Sequence, residues 1–305
     1  MDSQRKSLLV SDLMLLAVAV VWGTSYGVVK SALVFYPVLG LLALRFTITF
    51  VLLSPALRQL AGLSWREYLG LLSTGLLLLG IFLSETFGVL HTSATNAAFL
   101  ISLCVMLTPL VEWIWLNRRP TRLEWLAVGI SMVGAALMAL HGEFGMNVGD
   151  ALILLAAVCR AVQVCLVKRV VQCSQIPALA VTALQSGVVA VGCVLLALIT
   201  LPTPMQSLAE VSGPTAFWSY IAYLVLACTL FAFFAQNYAI KRSNPTRVSL
   251  LMGSEPLFGG LFAMLWLNEP ITVQGWIGGG LIFASCILAS RKWSFWRPKA
   301  TAAVS

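Results

Sequence analysis

Four charged side chains stand out among those inside the long apolar stretches of this sequence: Arg45, Glu85, Arg160 and Glu255. If such a stretch crosses a lipid bilayer, a charge near its centre costs roughly 2.5–3.5 kcal/mol by insertion scales. Each of these groups must therefore face a cavity, pair with an opposite charge or lose its own charge. Arginine presents a planar fork of donors that suits a carboxylate, whereas a glutamate can hold a cation or carry a proton. The chemistry that these residue types offer is ion recognition.

Arg160 and Glu255 each allow two interpretations. Arg160 lies near the middle of its apolar stretch, where it either binds a substrate carboxylate or another anion, or forms a buried structural pair with Glu255 or Glu85. Glu255 precedes Pro256, which removes a backbone donor and bends a helix. Glu255 either binds a cation or a coupling proton, or serves as a packing carboxylate, and the sequence favours the structural role.

Arg45 and two aromatic residues complete the candidates near these charges. For Arg45 we expect a structural role more than a recognition role. Trp22 and Tyr26 flank the small residues 23–25. They form either an aromatic cavity wall or the close helix packing that small residues allow in membranes.

Composition places these stretches in a membrane. Of the 305 residues, 60% are hydrophobic and 10% are charged, against about 45–50% and about 25% in a soluble domain. The surplus apolar surface must face lipid, so the lipid bilayer is an expected partner. The net charge of +8 comes from Lys and Arg in short loops, where they are topology signals, so we expect no nucleic acid. The seven cysteines show no zinc-binding spacing, and we predict no metal site, no cofactor and no catalytic residue.

Ten apolar runs approach the roughly 20 residues that a helix needs to cross a bilayer. The predicted fold is therefore an all-α integral membrane protein with ten transmembrane helices. The predicted spans are 9–30, 37–57, 67–90, 94–116, 123–141, 149–168, 177–200, 216–240, 246–267 and 273–291.

The loop charges predict the orientation. With the N-terminus inside, nearly all of the 19 Lys and Arg residues fall in cytoplasmic segments, and the outer loops instead carry Glu143, Asp150, Glu210 and Glu269. By the positive-inside rule, both termini lie in the cytoplasm of a cell whose inner membrane holds the protein, and residues 292–305 form a cytoplasmic tail.

The second half of the sequence repeats the first. A shift of 151 residues without gaps gives ten identities over positions 95–137, including Trp, Asn and Thr. Glu85 then falls on Gln236, which Asn237 follows, so these polar positions could line one pathway. Because each repeat has five helices, an odd number, the repeats 9–141 and 149–291 are inverted. Inverted repeats are a recurrent basis of alternating access.

Several segments resemble EamA-type members of the drug/metabolite transporter superfamily. They are His91–Phe99 and Ser249–Pro256, which resemble the fourth- and ninth-helix motifs, Leu267–Pro270, and the first- and second-helix motifs Val21–Ser25 and Leu44–Phe46. The resemblance implies a transporter with a central cavity, often an exporter of amino acids, metabolites or toxic compounds. The sequence departs from the family pattern at Arg160, where an aromatic residue is usual.

We therefore expect a secondary transporter of small molecules. It would export amino acids or related or toxic small solutes by alternating access around a midplane cavity, with protons as one possible coupling ion. A phosphate-binding loop for ATP is absent from the sequence. The alternatives are a channel-like facilitator and a membrane-embedded enzyme, which is disfavoured because the sequence has no hydrolase or metalloprotease motif. The sequence does not predict the oligomeric state.

Overall fold

The fold is all-helical, as predicted. A computed structural model of the chain describes residues 2–92, 94–139, 147–173, 176–200, 215–267 and 273–290. No strand occurs within these ranges. The predicted tail 292–305 and most of the predicted outer loops, with Glu143, Glu210 and Glu269, lie outside the described residues.

Thirteen α-helices, α1 to α13, follow one another along the described chain. In order they are Asp2–Ala32, Val38–Leu53, Trp65–His91, Ala94–Ser102, Cys104–Leu116, Arg122–Ala139, Val148–Cys173, Ala178–Thr200, Thr215–Val225, Ala232–Arg242, Pro245–Met252, Glu255–Leu267 and Val273–Ser290. A short 3₁₀ turn, Ser54–Leu60, continues α2. A π-helical segment, Leu226–Phe231, joins α9 to α10.

Seven helical stretches of the described chain are long and apolar enough to cross a membrane. They are Lys6–Ala32, Val38–Leu60, Trp65–His91, Asn96–Leu116, Val148–Gln172, Ala178–Thr200 and Thr215–Arg242, and Val273–Ala289 is a shorter apolar helix. Large apolar side chains such as Ile114, Leu198 and Ile199 are exposed on the outside of the bundle. The chain is thus a multi-pass membrane protein, while the number of ten spans stays a prediction.

The predicted fourth and ninth spans are both interrupted, at equivalent positions. Helix α4 ends before Leu103 and α5 begins after it, whereas α11 and α12 are separated by Gly253 and Ser254. A shift of 151 residues places Leu103 on Ser254. In the second case Pro256, at the second position of α12, has no backbone donor, and a helix start tolerates this.

Local sequence explains several helix ends. Ser64 caps α3 and exchanges hydrogen bonds with Glu67 in a capping box, which satisfies two otherwise unpaired backbone donors. Asn117 ends α5 in the left-handed conformation at φ 50°, which asparagine tolerates better than most residues. Asn244 caps α11 by accepting from the backbone N–H of Arg247 at 2.7 Å.

The helices pack mostly in pairs that join the two halves of the chain. Helix α3 packs along α7, α6 along α13, and α2 along α8. Helix α1 contacts α10 and α12, and α7 contacts α4 and α5. Two helices, α1 and α7, therefore lie at the centre of the bundle.

Candidate functional site

A cavity lies between the central helices and receives residues from both halves of the chain. Its empty space is at most about 580 Å³, part of which is continuous with open space. The lining residues come from α1, α2, α3, α7 and α10, and they are Trp22, Ser25, Tyr26, Val29, Arg45, Leu78, Ile81, Phe82, Glu85, Thr86, Val89, Arg160, Gln163, Phe233 and Gln236.

Arg160 of α7 is paired at the wall of this cavity. Its Nη2 donates to Glu255 Oε1 at 2.8 Å, and its guanidinium carbon lies 4.3 Å from the centroid of the Trp22 ring. Tyr26 donates its hydroxyl to Glu255 Oε2 at 2.9 Å. Because two donors hold the Glu255 carboxylate, the arginine and the glutamate neutralise each other within the bundle.

Helix geometry explains why Glu255 reaches this place. It is the first residue of α12, where the partial positive charge of a helix N-terminus favours a carboxylate. Helix α1 approaches closely there, since a Cβ built on Gly23 would lie 2.6 Å from the Glu255 carbonyl oxygen and 2.9 Å from the backbone nitrogen of Gly259. The two glycines let the backbones of α1 and α12 cross in contact.

Arg45 of α2 also lines the cavity. Its Nε donates to Thr229 Oγ1 at 2.6 Å, and its guanidinium carbon lies 4.9 Å from the centroid of the Phe82 ring. Thr229 belongs to the π-helical segment and donates its own hydroxyl to the Leu224 carbonyl at 2.7 Å. Such segments are frequent at functional sites, and here the segment provides the acceptor that orients the arginine.

Glu85 of α3 is half-buried in the cavity wall and has no hydrogen-bond or ion-pair partner among the described residues. Gln236, its equivalent under the shift of 151, also lines the cavity and donates its Nε2 to Gln163 Oε1 at 3.2 Å. The Gln163 Nε2 in turn is buried without an acceptor in the described part of the chain. The cavity wall therefore contains one acid without a partner in the described chain, and one buried amide donor without an acceptor lies beside it.

The structure brings together most of the residues singled out from the sequence. Six of them line the cavity: Trp22, Tyr26, Arg45, Glu85, Arg160 and Gln236. Glu255 lies behind Arg160. Asn237 lies outside the lining and donates to Thr182 Oγ1 and Gln185 Oε1, at 3.0 Å each.

Sequence reasoning overlooked Gln163, Phe82 and Thr229. Gln163 follows Arg160 by three residues and so shares its helix face, a signal that the sequence did contain. Thr229 had no signal, because its position depends on a π-helical segment that periodicity does not reveal. Among the described residues, no group of three or more His, Cys, Asp and Glu side chains is placed to hold a metal ion.

A polar cluster, the Asp12 cluster, lies at one end of the bundle. Arg247 of α11 forms an ion pair with Asp12 of α1, with its Nε at 3.1 Å from Oδ1. Glu112 accepts from the backbone N–H of Thr246 at 3.1 Å and pairs with Arg118 at 3.0 Å. These bonds join α1 and α5 to the start of α11.

A second polar cluster, the Asp150 cluster, joins the end of α1 to the start of α7. Thr92 donates its hydroxyl to Asp150 Oδ1 at 2.6 Å, and Lys30 donates to the Thr92 carbonyl at 3.0 Å. At the other end of α7, Lys168 donates to the Ile240 carbonyl at 2.8 Å. A shift of 138 residues places Asp12 on Asp150 and Lys30 on Lys168, so the two central helices use the same side chains at their two ends.

The fold and the cavity define a multi-pass membrane protein with a charged central site. The chain belongs to the EamA-like transporter family, whose model matches residues 9–140 and 147–291. The resemblance seen in the sequence motifs is thereby confirmed.

Two curated relatives and one solved structure are similar to the chain. An uncharacterized transporter of Archaeoglobus fulgidus is 26% identical over 92% of this chain and 86% of its own length. A protein of Streptantibioticus cattleyicolor named a probable terminal-alkyne amino-acid exporter is 25% identical over 91% of this chain and 92% of its own length. A crystal structure superimposes with a TM-score of 0.74 at 17% identity, over 92% of this chain and 96% of that chain. That likeness shows the fold alone, and the family and the relatives' names indicate a transporter.

Proposed function

We propose that the chain is a secondary transporter that moves small metabolites by alternating access around its central cavity. The observation that carries the proposal is the cavity itself, in which Arg45, Glu85 and Arg160 lie together inside a lipid-embedded bundle. Charged groups at membrane depth are costly and typically mark a substrate or ion pathway. The helices of both repeats contribute to the lining, as expected for a site between two inverted repeats.

The repeat geometry supports alternating access. The Asp12 and Asp150 clusters occupy equivalent positions in the two halves, and the central helices α1 and α7 run in opposite directions between them. Two inverted units with equivalent closing contacts can exchange conformations, which opens the cavity first to one side and then to the other. The equivalent breaks at Leu103 and at Gly253–Ser254 supply places where the fourth and ninth spans can bend.

The loop charges give the proposed orientation. Both termini lie in the cytoplasm and the protein lies in the inner membrane, because Lys and Arg collect in the segments predicted to be cytoplasmic. In this orientation the Asp12 cluster faces the cytoplasm and the Asp150 cluster faces outward. The ten-span, two-repeat arrangement of residues 9–141 and 149–291 is part of the proposal.

Export of amino acids or related small solutes is the proposed physiological role. The relative from Streptantibioticus cattleyicolor, which carries an exporter's name, spans nearly the same length, and this similarity supports the direction. Exchange for protons and ion-independent movement are the two energetic modes, and Glu85 is the cavity acid that has no ion-pair partner within 4.0 Å among the described residues. Uptake driven by an imposed pH gradient distinguishes these modes.

Counterflow in proteoliposomes tests the proposal. Purified protein is reconstituted with a high internal concentration of an unlabelled solute, and entry of the same labelled solute is followed for amino acids, nucleosides and amphipathic drugs. A transporter gives saturable entry with a transient overshoot for one of these classes. Unsaturable flux without overshoot identifies the channel-like alternative, and chemical conversion of the solute identifies an enzyme.

A further inference from the structure

The four charged groups at or beside the cavity differ in whether another side chain of the protein forms an ion pair with them. Arg160 and Glu255 pair with each other at 2.8 Å. Arg45 and Glu85 are not paired, since neither comes within 4.0 Å of an opposite charge among the described residues. The site is thus neutral as a whole, with one separated positive group and one separated negative group left open.

Arg45 is held in place without being neutralised. Only its Nε has an acceptor, the Thr229 hydroxyl at 2.6 Å, so that its two terminal amino groups have no acceptor in the described chain. The Phe46 and Phe82 rings lie 5.4 and 4.9 Å from its guanidinium carbon. A guanidinium fixed by Nε and by aromatic rings, with both terminal amino groups open, is oriented for bidentate contact with a carboxylate.

Glu85 is the matching negative group. It lies on α3, one turn of helix beyond Phe82, and lines the same cavity as Arg45. An anion bound to Arg45 would leave Glu85 uncompensated, and a cation bound to Glu85 would leave Arg45 uncompensated. A molecule with one carboxylate and one ammonium group satisfies both.

From this arrangement we infer that the cavity binds zwitterionic α-amino acids, with Arg45 contacting the carboxylate and Glu85 the ammonium group. The remaining wall combines the polar side chains of Ser25 and Thr86 with the apolar side chains of Leu78, Ile81 and Val89. An amino acid with an apolar side chain would pack on this apolar part. This inference rests on the proposed transport function and names its substrate class. Arg160 then acts as a positioning residue that holds Glu255 and the Trp22 face of the wall.

Matched ligands test the inference on the full-length purified protein. The probes are labelled L-leucine and L-phenylalanine, in competition with analogues that lack one charged group. For leucine these are 4-methylpentanoate, without the ammonium, and 3-methylbutylamine, without the carboxylate. For phenylalanine they are 3-phenylpropanoate and phenethylamine. We expect each analogue to bind at least about tenfold more weakly than its amino acid, because a charged hydrogen bond is lost.

Two variants test which residue contacts which charged group of the amino acid. Glu85→Gln should narrow the preference for the amino acid over its carboxylate analogue to about threefold or less, and should leave the preference over the amine intact. Arg45→Gln should narrow the preference for the amino acid over its amine analogue to about threefold or less, and should leave the preference over the carboxylate analogue intact. Arg45→Lys, which keeps the charge and loses the fork, serves if the glutamine variant does not fold. Glu67→Gln in the first turn of α3 and Arg58→Gln in the exposed 3₁₀ turn are controls that should leave all preferences unchanged.

The inference is overturned if neither amino acid binds better than both of its analogues, or if Glu85→Gln lowers the affinity of all three ligands equally. Its failure differs from failure of the proposed function. Counterflow of a nucleoside or an amphipathic cation without that of amino acids would leave transport standing and remove the amino-acid site. Selective amino-acid binding without counterflow of any solute would leave the amino-acid site standing and remove the proposed transport function.

Discussion

Arg160 stacks on Trp22, and these two residues occupy equivalent positions in the two halves of the chain. Their sequence numbers differ by the shift of 138 that also relates Lys30 to Lys168. The guanidinium carbon lies 4.3 Å from the ring centroid, within the range of a cation–π contact. Arg160 thus meets its own repeat partner at the centre of the bundle. The ion pair with Glu255 completes the contact.

Arg160→Met should destabilise the protein by about 3–5 kcal/mol, because it leaves the Glu255 carboxylate buried without its basic partner. The sequence alone left open whether Arg160 binds a substrate or forms this buried pair. Thermal unfolding of the purified protein, followed by tryptophan fluorescence, measures the loss. The matched double variant Arg160→Met with Glu255→Gln removes both charges and should recover at least half of it. A double variant less stable than the single one would contradict a structural pair.

Much of the fold could be predicted from the sequence because lipid imposes simple rules. Apolar runs must form helices in a bilayer, since no water satisfies the backbone there. The helix order therefore follows from hydropathy, and the family resemblance follows from short motifs such as Ser249–Pro256. The interruptions at Leu103 and in the segment 226–231 could not be predicted, because neither contains a proline at the break and both depend on tertiary contacts.

The sequence predicted most of the residues that belong to the site but not which arginine pairs with which glutamate. The free-energy cost of a charge inside a bilayer is enough to predict that Arg45, Glu85, Arg160 and Glu255 lie near a cavity or near one another. Which arginine takes which acid depends on distances of a few ångströms between different helices, and no sequence spacing encodes these. The sequence left Arg160 open between recognition and a structural pair and favoured a structural role for Arg45, whereas the contacts favour a structural pair for Arg160 and substrate binding for Arg45.

Asp12→Asn should open the proposed cytoplasmic end of the bundle more often, because it removes the acid that pairs with Arg247. Cys165 can report this opening. It is fully buried, and its Sγ lies 3.8 Å from the carbonyl of Thr108, whose hydroxyl bonds to Ser249 of α11 at 2.8 Å. In a chain whose other cysteines are replaced by alanine, maleimide labelling of Cys165 should become at least about fivefold faster.

The control for that experiment is a chain that keeps only Cys193, a fully buried cysteine of α8. Asp12→Asn should leave its labelling rate unchanged, whereas general loosening of the fold would raise both rates. Unchanged labelling of Cys165 would argue that the Asp12–Arg247 pair does not hold this end closed.

Gly23→Ala should destabilise the contact between α1 and α12 by about 1–3 kcal/mol, since overpacking forces backbone shifts. The added Cβ would lie 2.6 Å from the Glu255 carbonyl oxygen and 2.9 Å from a backbone nitrogen, and neither atom can rotate away. Gly129→Ala is the matched control, because no atom lies within 4 Å of the Cβ built there, and it should match or exceed the wild-type unfolding temperature. Equal unfolding temperatures for the two variants would show that α1 and α12 can move apart at little cost.

Thr229→Val should weaken substrate binding through Arg45 without touching the substrate. The change keeps the side-chain shape and removes the hydroxyl that accepts from Arg45 Nε at 2.6 Å and donates to the Leu224 carbonyl at 2.7 Å. A charged donor left without its acceptor costs at least about 1–3 kcal/mol, and the guanidinium is free to turn away from the cavity. Thr229→Ser keeps the hydroxyl and is the control. In competition assays, Thr229→Val should lower the affinity for L-leucine at least about tenfold and that for 3-methylbutylamine about twofold or less, while Thr229→Ser stays close to wild type. An equal loss for both ligands in Thr229→Val would show that the π-helical segment serves the packing of the helix and not the orientation of Arg45.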